Sequence, residues 1–89
     1  RFFPYVLEIQ SDLLYQFVER VCVPLAIGNT VPGMTDRFNP HIVVNDIPCR
    51  LHPLGITVFL SSELRRPVAT AKPQALDIDT ALDMLLRGY

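Results

Sequence analysis

Two histidines, two cysteines and nine acidic side chains are the residues of this 89-residue chain with most chemistry to offer. General acid–base catalysis needs such groups in mutual reach, with pKa values tuned by their surroundings. His41 and His52 each adjoin a proline and fall in runs that read as strands, so both are read as structural. Asp77, Asp79 and Asp83 are the densest carboxylates. At helical spacing 79 and 83 share a face, the pattern of a solvated polar side. Glu8 has no acid–base partner near it in sequence. Cys22 and Cys49 sit in apolar segments without C-x-x-C or Cys/His ligand spacing, so they are expected as buried, reduced thiols. No dinucleotide fingerprint, P-loop, HExxH or GxSxG motif occurs. These residues predict a binding protein rather than an enzyme, with no metal and no cofactor.

Charge narrows the partner. Seven Arg and one Lys stand against nine acids, for a net charge of −1. Only Arg65-Arg66 are adjacent, and a nucleic-acid surface needs a clustered basic stripe. The pair reads as a solvated turn. Yet 49% of the residues are hydrophobic. A chain of this length forms one domain, 1–89, and a small domain buries only about 60–65% of its unfolded surface. The apolar surplus predicts a homodimer interface. No run of about 18 apolar residues exists to span a membrane, and no signal peptide is visible. The chain begins at Arg1 rather than Met, as a trimmed product lacking a leader or a first strand would.

The elements that must position these residues are mostly strands. Phe3–Gln10 alternates with period 2, and Ser11-Asp12 marks a turn before Leu13-Leu14. Arg20–Ala26 is a second strand, whose Pro24 predicts an edge or a bulge because it cannot donate to a ladder. Gly28–Pro40 is a long, turn-rich connection, and its Gly28–Asn39 part, with little to pack, is expected to be mobile without a partner. His41–Val44 and Cys49–His52 form a hairpin around Asn45-Asp46. Gly55–Leu60 is a further strand, Ser61–Arg66 a polar connection, and Pro67–Thr70 a short strand. Ile78, Ala81, Leu82 and Leu85 then recur at helical spacing, predicting a helix from Pro73 to Arg87 with Gly88 as its C′ residue. Met84, Leu85, Leu86 and Tyr89 put apolar weight on several sides of the last turn, which must therefore be buried by the fold, a second subunit or a partner.

The segments YVLEIQSDLL, RVCVPLA, RFNPHIVVND and ALDIDTALDMLLRGY occur in the order and spacing of the CcdB toxins, the toxin half of CcdA–CcdB toxin–antitoxin pairs. The resemblance covers nearly the whole chain. Its most specific parts are Ile9-Gln10-Ser11-Asp12, the VCVPL strand Val21–Leu25, and the terminal Gly88-Tyr89. It implies a mostly-β α+β fold, an SH3-like β-barrel or β-roll with one C-terminal helix. Family members usually carry one more strand ahead of the FPYVLEIQ-like one. The resemblance further implies a cytoplasmic homodimer that binds the A subunit of DNA gyrase and traps it on cleaved DNA. A CcdA-like antitoxin would neutralise it, and the joint complex would repress its own operon, so that DNA is met only through the antitoxin. Carried over by position, the gyrase-binding residues are Leu13, Leu14, Asp83, Leu86, Arg87, Gly88 and Tyr89. One departure stands out: the family pattern ends in Trp-Gly-Ile, and here Arg87 replaces the large apolar Trp. Two other readings use the same barrel. One is a MazF-like ribonuclease, which the single Lys and dispersed Arg disfavour. The other is a non-toxic, decayed dimer, which Arg87 favours.

Overall fold

The computed structural model describes residues 5–27, 32–64 and 67–88. Five strands run in sequence: β1 (Tyr5–Glu8), β2 (Glu19–Ile27), β3 (His41–Val44), β4 (Ile47–Leu51) and β5 (Thr57–Leu60). A helix, α1 (Ala75–Arg87), ends the chain. The strands form one antiparallel sheet in the order β1-β2-β4-β3, with β5 also on β2, curled into a half-barrel. This is a mostly-β fold with a single C-terminal helix, as expected.

β2 is the organiser because it is nine residues long and paired on both edges. Cys22 pairs with Glu8 of β1 and with Thr57 of β5, while Leu25 pairs with Tyr5 of β1 and Leu51 of β4. β4 and β5 therefore share the edge opposite β1, one on each half. Pro24 falls where that edge changes partner, so it is neither at an edge nor in a bulge as expected. A strand residue points its N and its C=O to the same side. Pro24 O accepts the His52 N–H at 3.0 Å on the β4 side, so its missing donor faces the gap between β4 and β5, where no ladder bond is lost. Gly55 crosses that gap: a Cβ there would lie 2.6 Å from Pro24 Cγ.

Alternation selects the core. Val23 and Leu25 of β2, Ile42 and Val44 of β3, and Cys49 and Leu51 of β4 point to one face, where Ile78 and Ala81 of α1 cover them. Tyr5, Leu7, Ile9 and Leu82 pack around this cluster. Asn45 and Asp46 have φ of +49° and +66°, the left-handed pair that a two-residue hairpin requires. β4 starts at Ile47, earlier than the sequence suggests, because that turn is so short. Pro67–Thr70 is irregular and exposed rather than a strand. α1 begins at Ala75, and Pro73 lies in a preceding 3-10 turn, Lys72–Gln74. His52 follows β4 instead of lying in it.

The connection before β3 is better anchored, over its described residues, than its composition predicts. Asn39 is buried; its N–H reaches Thr35 O at 2.8 Å and its Nδ2 reaches Leu51 O at 3.0 Å. The Arg50 guanidinium, buried on the sheet's other face, donates to Asn39 O at 3.1 Å and to Asp36 Oδ1 at 2.6 Å. Gly28–Val31 and Arg65-Arg66 lie outside the described residues.

Candidate functional site

The residues expected at the site fall into two groups. Leu13 and Leu14 lie in a 3-10 turn, Asp12–Leu14, at the head of the β1–β2 connection. Ser11 caps the turn: its Oγ accepts the Leu13 N–H at 3.1 Å. Leu13 is 86% exposed, so the turn presents a large aliphatic side chain to its surroundings instead of burying it.

The second group ends α1. Asp83 is half-buried, and Leu86, Arg87 and Gly88 are exposed. Gly88 has φ +81° and donates its N–H to Met84 O at 3.1 Å, the left-handed C-terminal cap expected of it. Arg87 forms an ion pair with Asp83 one turn earlier. The departure from the family pattern is thus not an isolated charge, because its counter-charge is another residue of the same patch. An exposed pair of this kind contributes at most about 0.5 kcal/mol. Leu86 projects beside it, 73% exposed. Tyr89 lies outside the described residues.

Within one subunit no extensive packing joins these groups among the described residues. The extensive contacts of α1 are with the 3-10 turns Pro53–Gly55 and Lys72–Gln74, and none of that extent joins it to Asp12–Leu14 among the described residues. A cavity of about 330 Å³ lies between β1 and α1, lined by Leu7, Ile9, Ile78 and Leu82 with Glu8, Lys72 and Asp79 at its margin. None of the expected site residues lines it.

Of the groups with catalytic potential, His41 faces a carboxylate and both thiols are buried. His41 Nε2 lies 3.3 Å from Asp36 Oδ1, the carboxylate that also holds Arg50. Cys22 and Cys49 are free, buried thiols. Burial pushes both upward from the ordinary thiol value, and the Glu8 charge adds to the effect at Cys22. Thiols held protonated in this way are poor nucleophiles. Among the described residues no three His, Cys, Asp or Glu side chains converge on a metal position, and no helix is long and apolar enough to cross a membrane.

Sequence reasoning stopped at Leu14, but the exposed apolar surface continues. Tyr15, Phe17 and Val18 are also exposed. The signal was present as LLYQFV, five large apolar residues in a six-residue stretch between two strands.

The described residues form a half-barrel sheet with one terminal helix, and the Asp12–Leu14 turn and the end of that helix expose apolar side chains. Residues 1–88 match the CcdB protein family. The chain belongs to that family, whose members are the toxins of toxin–antitoxin systems. No curated protein matches the sequence significantly.

Proposed function

We propose that this CcdB-family protein acts without catalysis, as a homodimer that binds the A subunit of DNA gyrase and traps it on cleaved DNA. A CcdA-like antitoxin releases the grip, and the two together repress their operon in the cytoplasm. The observation that carries the reading is the exposed end of α1, in a chain that matches the family from residue 1 to 88. There Leu86, Arg87 and Gly88 are exposed among the described residues, with the half-buried Asp83 paired to Arg87. Leu13 and Leu14 extend the surface on the same reading. A two-fold dimer doubles the patch, which suits a target that is itself a two-fold dimer.

The test is plasmid cleavage by purified gyrase with wild type, Arg87→Trp and a protein lacking Gly88-Tyr89. Wild type should accumulate linear DNA on denaturation of the complex. Arg87→Trp should do so at lower concentration, because an apolar platform need not desolvate a guanidinium. The truncated protein should be inert while keeping its fold, since a chain terminus adds little to the core. Absence of cleaved complex at any concentration of wild type would remove gyrase as the target. Full activity of the truncated protein would remove the helix end from the mechanism.

A further inference from the structure

Loops ordinarily expose polar side chains and leave backbone groups to water. The segment from Leu13 to Val18 does the reverse. Leu13, Leu14, Tyr15, Phe17 and Val18 are all exposed. Their backbone, in contrast, is tied down by two side chains, from Gln10 just beyond β1 and from Arg20 in β2. Gln10 Nε2 donates to Leu14 O at 3.2 Å, and Gln10 Oε1 accepts the Val21 N–H at 2.9 Å. The Arg20 guanidinium donates to Tyr15 O at 3.2 Å, to Glu19 O at 3.0 Å and to Phe17 O. Val18 O accepts the Ser61 N–H at 2.7 Å. The carbonyls of residues 14, 15, 17, 18 and 19 are therefore satisfied inside the protein.

Arg20 is the centre of this arrangement. It is only 6% exposed, and its charge is balanced by Glu8, 3.7 Å away. Its guanidinium also covers one face of the Tyr15 ring, 4.3 Å from the centroid, which leaves Tyr15 still 65% exposed on its other side. A long cation buried to hold carbonyls fixes the loop's shape before any partner arrives. The cost of ordering it is thereby removed from the binding step.

We infer that Leu13–Val18 is a preformed apolar docking knob, extending to Tyr15, Phe17 and Val18 the contact proposed for Leu13 and Leu14, with Arg20 as its positioning residue. The inference rests on the proposed function for the identity of the target. The occupant is a concave apolar cleft on the gyrase A subunit with a basic rim. The basic rim follows from charge: Asp12 and Glu19 flank the knob and are exposed, whereas Arg20, the cation beside it among the described residues, is buried and paired with Glu8.

The experiment compares wild type, the triple variant Tyr15→Ser/Phe17→Ser/Val18→Ser, and Arg20→Lys. Two readouts are taken: binding to purified gyrase A subunit and amide exchange over residues 12–19. The triple variant should bind at least ten-fold more weakly with its far-ultraviolet spectrum unchanged. Arg20→Lys, which keeps the charge but not the fork of donors, should speed exchange in the segment about ten-fold and leave Val23 and Leu51 slow. Wild-type affinity in the triple variant overturns the inference, as does unchanged exchange in Arg20→Lys. A triple variant that loses only its dimer would assign the knob to a subunit contact and overturn it as well. If wild type itself does not bind the subunit, the proposed function fails, and a slow-exchanging segment freed by Arg20→Lys still supports the preformed knob.

Discussion

At the scale of single residues, this protein puts its most reactive groups to structural use. Cys22 and Cys49 lie on opposite faces of the sheet, yet both are completely buried. Their pKa values are raised by burial, so in the folded state the protons stay on above the ordinary value of 9.0. The sign of the pH effect follows. Below that value both states hold the protons and stability is unaffected. Above it the unfolded chain releases them first, and stability falls as pH rises toward the folded-state values. Thermal unfolding should therefore show an alkaline decline beginning near pH 9, shallower in Cys22→Ala than in wild type. Labelling of either thiol in the folded protein should be slow at neutral pH. Rapid labelling would place a cysteine on the surface and refute the core described. Both thiols were legible as buried from the apolar runs around them. Arg20 and Arg50 were not, because a basic residue in an alternating strand reads as a solvated one until a loop folds over it.

At the scale of elements, the decisive contact is between Pro24 in β2 and the turn Pro53–Gly55. β2 can contain a proline because two different strands share its second edge, and Gly55 passes over the join. Gly55→Ala would drive a methyl into the proline ring, at 2.6 Å from Cγ and 3.0 Å from His52 Cδ2. An approach that close forces the proline ring or the turn to shift. The substitution should cost about 1–3 kcal/mol, read as a lower denaturant midpoint. A midpoint equal to wild type would show that the turn does not press on Pro24. The helix behaves more locally. Its spacing, the acidic first turn at Asp77, the Arg87 cation and the Gly88 cap all agree with α1 as folded. Its start moved only because Pro73 and its neighbours close a 3-10 turn first.

At the scale of the molecule, the half-barrel leaves part of its core face open. Val58 and Leu60 of β5 pair with Val21 and Glu19, so they lie on the face that carries Val23 and Leu25. α1 covers the Val23–Leu25 end, while Val58 and Leu60 remain about half exposed. A second subunit seated there would bury them. Wild type should elute as a dimer at micromolar concentration, with mass confirmed by light scattering. Val58→Asp/Leu60→Asp should shift it to monomer with its secondary structure intact. A dimer that survives both charges would place the subunit interface elsewhere.

Period-2 alternation, one helical stripe and a few turn residues were enough to read the strands, the hairpin at Asn45-Asp46, the helix and its Gly88 cap from sequence. Each of these rests on interactions within a few positions of chain, where residue type sets backbone preference directly. Tertiary structure alone decided the rest. It set Pro24 at the join of two partners, brought Gln10 onto Val21 and Arg20 onto Glu8 to clamp the Leu13–Val18 knob, and left the Asp12–Leu14 turn without extensive packing on the helix end. Those outcomes depend on which distant segments meet. That is settled by sheet order and by the satisfaction of buried polar groups, neither of which local spacing encodes.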